Sequence, residues 1–303
     1  MTVLVFRGLG VFHHDIGRAL VSIVLLSMAS AASYGLGAVL QHQAAVKEPP
    51  ELSMRAGLLV RLARRPMWLV GNALDGVGYL FQFLALRRGS LCLVEPLLVL
   101  SLVFALPVAA WLDDRPISRS ELTSSGVIAT GLALFLAPAH PGLGHPNASG
   151  YTWVILSALI AALCGVAVLL ARGRSHLRSA VFLAVGSGTA FGYVAAVTER
   201  TGHLLEGGLV QMLETWTPYA LLGGAVVALM LTQSAFHAGA LRLSLPTLTI
   251  AQPLVAIIIG IWVFGEHINT RGLAPVLEVL GLVLVSVGVF ALARSPVIGG
   301  TKR

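Results

Sequence analysis

Long apolar runs separated by short polar turns fill most of the chain. Nine of them approach the ~20 residues that a helix needs to cross about 30 Å of hydrocarbon. They cover roughly 18–45, 67–86, 90–112, 122–137, 151–171, 180–199, 218–240, 244–264 and 272–293. Apolar residues run continuously through each run instead of alternating, which predicts helices and excludes barrel strands as spanning elements. The fourth run is short and extends on its N-terminal side into 118–121. Two stretches fit the pattern poorly. Residues 46–66 are amphipathic, hold Arg55, Arg61, Arg64 and Arg65, and predict a helix on the membrane surface. Residues 200–217 read either as a surface helix or as a short tenth span.

The pattern also repeats. A shift of 157 residues lays Ser33-Tyr34-Gly35-Leu36-Gly37 on Ala190-Phe191-Gly192-Tyr193-Val194. It lays Glu95-Pro96-Leu97 on Gln252-Pro253-Leu254, and Thr130-Gly131-Leu132 on Val287-Gly288-Val289. One register held across distant segments is expected of two copies of one unit, the plan of many secondary transporters. The shift pairs segment one with six, two with seven, three with eight and four with nine, leaving segment five as a linker. Partners lie five spans apart, an odd number, so each crosses the membrane in the opposite direction and the repeat is inverted. The expected fold is therefore an all-α polytopic membrane protein. Residues 1–17 form an N-terminal tail, 18–137 the first four-helix repeat, and 138–179 a linker with the fifth helix. Residues 180–293 form the second repeat and 294–303 a C-terminal tail.

Composition supports the membrane reading. The chain is 56% hydrophobic and 11% charged, against about 45–50% and 25% in soluble domains. The surplus must face lipid, so a bilayer is the first expected partner. The net charge of +7 then orients helices and gives no reason to expect nucleic acid. With the N-terminus outside, 14 of the 20 Lys and Arg residues fall in cytoplasmic segments. That predicts an N-out, C-in protein of the cell membrane. Cys92 and Cys164 lie inside apolar runs and read as packing residues. Ala29-Ser30-Ala31 imitates a signal-peptide cleavage site, but its run continues to residue 45 and recurs near 180–199, which favours a span.

Ionisable groups inside spans cost ~2.5–3.5 kcal/mol at the helix centre on insertion scales, so each needs a reason. Asp75 sits about 12 Å into the second segment at 1.5 Å per residue. Asn72, Asp75, Tyr79 and Gln82 are spaced by three or four and share one helix face. They read as a polar stripe along a cavity, or as hydrogen bonds between helices. Glu95 precedes Pro96, which removes a backbone donor and frees the carbonyl of Cys92. A carboxylate beside a broken helix suits a proton or a cation. Its repeat partner Gln252, before Pro253, is neutral, so the halves are chemically unequal: coupling would fall to the first half and substrate orientation to Gln252. Thr232, Gln233, Ser234 and His237 form a second polar cluster, with His237 able to titrate near neutral pH. Glu278 reads as an interfacial group, Glu199-Arg200 and Glu266-His267 as solvated helix ends, and Asp113-Asp114 as a loop pair. No metal-ligand set stands out.

Two stretches resemble the drug/metabolite transporter superfamily, in particular its EamA-like members. One runs from Ala240-Leu241-Arg242 through Pro246 and Gln252-Pro253-Leu254 to Gly265-Glu266; the other runs from Ala85-Leu86-Arg87 through Glu95-Pro96. The second departs at its end, where Asp113-Asp114 replaces Gly-Glu. Nine helices with an outside N-terminus resemble the magnesium-transporter-like branch. The resemblance implies the fold and transport, not the substrate. The leading expectation is a secondary transporter moving a small polar or amphipathic metabolite by alternating access, coupled to a proton or cation gradient. Alternatives are transport of Mg²⁺ or another divalent cation, an enzyme acting on lipid-linked substrates, and a non-transporting scaffold. No nucleotide-binding or hydrolase motif is visible, so neither an enzyme nor a cofactor is expected. The expected partner besides lipid is a small-molecule or ion substrate, and a homo-oligomer is left open.

Overall fold

The computed structural model describes residues 2–46, 64–138, 148–238, 241–266 and 272–294, and among these every regular element is helical. In chain order they are α1 (Thr2–Val46), α2 (Pro66–Leu86), α3 (Leu91–Leu98), α4 (Ser101–Leu112), α5 (Arg119–Leu136) and α6 (Gly150–Ala171). Then come α7 (His176–Leu204), a 3₁₀ turn at Leu205–Gly207, α8 (Leu209–Leu213), α9 (Thr217–Ala238), α10 (Leu241–Val263) and α11 (Ala274–Ala293). Among the described residues, eight segments are long and apolar enough to cross a membrane: 18–44, 66–86, 91–112, 150–171, 176–207, 217–236, 243–263 and 274–293. The protein is thus an all-α polytopic membrane protein.

Local sequence explains where helices begin and break. Pro66 sits in the first turn of α2, where a missing N–H costs nothing. At α5, Ser118 Oγ accepts the N–H of Glu121 (3.2 Å) while Glu121 Oε2 accepts the N–H of Ser118 (2.8 Å), a reciprocal cap. The third span is two helices. Pro96 removes one ladder donor, and Val99 and Leu100 bond three residues back, to Pro96 and Leu97, before α4 restarts at Ser101. In α10, by contrast, Pro246 and Pro253 leave one continuous helix.

Three stretches add detail to the sequence expectations. The 18-residue α5, expected as the fourth span, is outside the eight apolar segments, because Arg119, Glu121 and several Ser and Thr dilute it. Helix α1 runs back to Thr2 through the stretch expected as a tail. The 200–217 stretch holds the end of α7, a 3₁₀ turn and the five-residue α8; the last is too short to span. The expected surface helix at 46–66 lies mostly outside the described residues.

Packing follows glycine. Helix α1 lies against α2 and α4, α7 lies against α6, α9 and α10, and α5 lies against α11. A methyl group on Gly131 would strike the carbonyl oxygen of Gly281, and one on Gly288 would press on the carbonyl oxygen of Ser124. Residues 131 and 288 are 157 apart, as are 124 and 281. The outward faces are apolar: Leu159, Leu163, Val166 and Leu170 of α6 are exposed, as a lipid-facing surface requires.

Candidate functional site

The break between α3 and α4 carries Glu95, the last residue before Pro96, into the centre of the bundle, where it is 1% exposed. Each carboxylate oxygen receives one amide. Gln82 Nε2, from α2, donates to Oε1 at 2.8 Å, and Gln252 Nε2, from α10, donates to Oε2 at 3.0 Å. Gln82 is held in turn: its Oε1 accepts the Tyr34 hydroxyl at 2.8 Å. Four helices thus fix one carboxylate through neutral donors, an arrangement that leaves its charge open to a proton or a cation. Gln252 and Glu95 are 157 residues apart in sequence.

This network forms part of the wall of a cavity of about 880 Å³. Among the described residues that line it, Glu95 is the one charged group. Tyr34, Tyr79, Phe83, Phe191, Met212 and several leucines supply aromatic and apolar walls, and the Tyr79 hydroxyl meets Thr198 Oγ1 at 3.2 Å. Leu205, Leu209 and Met212, from the stretch after α7, also reach the cavity.

The stripe expected along α2 therefore divides. Tyr79 and Gln82 line the cavity, as do Glu95, Gln252 and Pro253; Pro96 is buried beside it. Asp75 is not in the lining. It accepts Gln41 Nε2 at 2.6 Å and packs where α1 and α2 cross at Gly37. Asn72 is exposed and bonds the carbonyl of Trp68 in its own helix. Gln233 is exposed, and the side chain of His237 lies outside the described residues. Thr232, at the repeat position of Asp75, instead bonds Ser187 Oγ at 2.6 Å.

Sequence reasoning missed Tyr34. The signal was available, since Tyr34 and Phe191 are 157 apart and both line the cavity. It also placed Glu199 and Glu266 in solvent, and this is corrected: each is 3% exposed. Helix α7 continues to Leu204, which buries Glu199. After α10 the chain turns at Gly265 (φ +65°), and the Glu266 carboxylate takes the N–H groups of Leu91 (2.8 Å) and Cys92 (2.9 Å) at the start of α3. Gly260 leaves the room that carboxylate occupies. Beside this point Arg200 lies over the rings of Trp153 (5.2 Å) and Trp216 (5.9 Å).

Eight apolar helices among the described residues mark an integral membrane protein, and its largely apolar cavity holds one carboxylate. The chain is 30% identical over 282 residues to a Corynebacterium glutamicum protein described only as uncharacterized, covering 92% of this chain and 98% of that one, and it belongs to that protein's family. No family model matches the chain, and no solved structure matches it.

Proposed function

We propose that the protein is a secondary transporter of the drug/metabolite transporter type, built as two inverted four-helix repeats about α6, that carries a small polar or amphipathic solute by alternating access. The observation that carries this reading is the hydrogen bond between Gln252 and Glu95, two residues one repeat length apart that meet at the cavity wall. Inverted repeats bring their equivalent helices together around a midplane site. The reciprocal contacts at Gly131 with Gly281 and Gly288 with Ser124 support the same two-fold relation. In this reading α5 is the fourth span and α11 its partner, and the short α8 adds no span, so partners remain inverted.

The lining suggests the solute. Apolar and aromatic walls suit an apolar body, and a lone carboxylate suits a positively charged or strongly donating group. A proton at Glu95 would compete for the same oxygens, so solute movement would be coupled to a gradient without a nucleotide or cofactor. The reading makes the protein a carrier and not an enzyme.

Thermal stability of the detergent-purified protein against amines, amino acids, nucleosides, lipid head groups and Mg²⁺ tests it. A ligand at about 100 times its Kd stabilises by ~2.7 kcal/mol. The expected result is a hit that Glu95→Gln loses and that reconstituted protein carries into vesicles. A hit that survives Glu95→Gln, or a bound compound that is never carried, would overturn the proposal.

A further inference from the structure

Helix α11 has two unlike faces. Gly281, Val285, Gly288 and Leu292 are buried, and the two glycines bring the helix onto α5. On the other face Val279, Val283 and Val287 are each more than half exposed. With Phe290 and with Leu254 of α10 they line a groove of about 570 Å³ on the outside of the bundle. Ser286 also lines it, but its hydroxyl donates to the carbonyl of Leu282 at 2.8 Å, so the groove wall offers no free hydroxyl donor.

One charged group lines this groove, Arg294, and it stands at the end of α11 with its side chain exposed. No carboxylate lines the groove. Glu121, at the start of the adjoining α5, is engaged by both arms of Arg115. The sequence adds positive charge at the same end. Consecutive spans run in opposite directions, so α10 begins, with Arg242 in its first turn, at the membrane face where α11 finishes. The residues that follow, 295–303, carry Lys302 and Arg303 and no acid. From Val279 to Ala291 the helix rises ~18 Å at 1.5 Å per residue. Half of a hydrocarbon core of about 30 Å is ~15 Å. The groove therefore runs the depth of one leaflet and ends on a cation at the level of the headgroups.

We propose that the groove between α10 and α11 binds an anionic phospholipid, with one acyl chain along Val279, Val283, Val287 and Phe290 and the phosphate at Arg294. Each half of the site selects a part of the ligand. The apolar wall matches a chain that reaches the bilayer centre, and the guanidinium, carried on an apolar stem, extends to phosphate oxygens at the interface. The site shares no lining residue with the Glu95 cavity, and it stands whether or not the protein is a carrier.

Delipidated full-length protein in detergent, titrated with phosphatidylglycerol or with phosphatidylcholine of the same chains, tests this by native mass spectrometry and melting temperature. The expected result is a retained phosphatidylglycerol adduct that raises the melting temperature, with phosphatidylcholine held more weakly. Arg294→Gln is expected to weaken that adduct roughly fivefold. Val283→Trp, which fills the groove and keeps the charge, is expected to weaken it as well. Arg172→Gln removes an exposed arginine at the end of α6 and is expected to leave binding unchanged. Equal retention of the two lipids by wild-type protein overturns the proposal, whatever the variants do. So does an adduct that either groove variant leaves unchanged, or a loss in Arg172→Gln as large as in Arg294→Gln. A shift reproduced by glycerol phosphate alone would assign the site to a free phosphate, and a dimer that Val283→Trp dissociates would assign the groove to a second copy of the chain; both would also overturn it.

Discussion

Glu121 and Glu278 stand 157 residues apart, near the starts of α5 and α11, and are 0% and 5% exposed. Their surroundings differ. Glu121 closes the cap at Ser118 and takes both arms of Arg115, at 3.1 and 3.2 Å. Glu278 keeps one buried oxygen without a partner. The same contrast recurs at Asp75 against Thr232 and at Glu95 against Gln252. A shared position preserves the place of a polar group, while the half it belongs to decides its charge and its partners. Of these pairs, Glu95 and Gln252 are joined by a hydrogen bond, and under the proposed transport reading their difference bears on function as well as on packing.

The comparison breaks first at that pair. Glu95→Gln is expected to abolish ligand stabilisation and to reduce uptake at least about tenfold, while the protein still folds, because an amide keeps the shape. Exchanging the two residues, Glu95→Gln with Gln252→Glu, returns a carboxylate to the same hydrogen bond and is expected to recover part of the ligand-induced shift. Recovery in a thermal-shift assay would place the asymmetry in the charge alone; none would place it in the α3 break, which α10 lacks.

Glu121→Gln comes next. It removes a bidentate partner from Arg115, whose 24% exposed side chain softens the loss, so destabilisation of ~1–3 kcal/mol is expected. Glu278→Gln changes a carboxyl whose buried Oε1 has no partner, and is expected to cost less than about 1 kcal/mol, or to stabilise. Denaturation of the two variants side by side measures the contrast. A smaller effect follows at the glycines. Gly131→Ala and Gly288→Ala both push a methyl group onto backbone of the facing helix, and each is expected to cost ~1–2 kcal/mol, the two nearly equal. Strongly unequal costs would argue against a two-fold relation between α5 and α11.

The sequence made the helices legible because span length and continuous apolarity are local properties. The extension of the fourth run into 118–121 and the weakness at Pro96 were legible for the same reason. The exact place of the break, at Val99 and Leu100, was not, since the ladder tolerates proline within α10 and fails in the third span. Helical spacing put Asn72, Asp75, Tyr79 and Gln82 on one face, but a face that runs for three turns meets more than one neighbour. Only Tyr79 and Gln82 meet the cavity. Glu199 and Glu266 were misread because both lie near the ends of apolar runs. What buries them is tertiary: the extra turns of α7 and the reversal at Gly265, which returns a carboxylate to a helix more than 170 residues earlier.

Asp75 provides the finest test of the comparison. By depth and charge it was the sharpest intramembrane acid in the sequence, yet it accepts Gln41 at the close crossing of α1 and α2 and stays out of the cavity lining. Its counterpart Thr232 serves the matching crossing of α7 and α9 with a hydroxyl bonded to Ser187. If both positions join helices, Asp75→Asn should retain an amide-to-oxygen bond with Gln41, because either of the two amides can turn to present its oxygen or its nitrogen. Uptake is then expected to stay within about twofold of wild type and stability within about 1 kcal/mol. Tyr34 lies within electrostatic range of both Asp75 and Glu95, so a relay between the two acids would give a different result. Asp75→Asn would then alter the pH dependence of uptake as strongly as Glu95→Gln, and vesicle uptake measured across pH would separate a helix-joining carboxylate from one that carries protons.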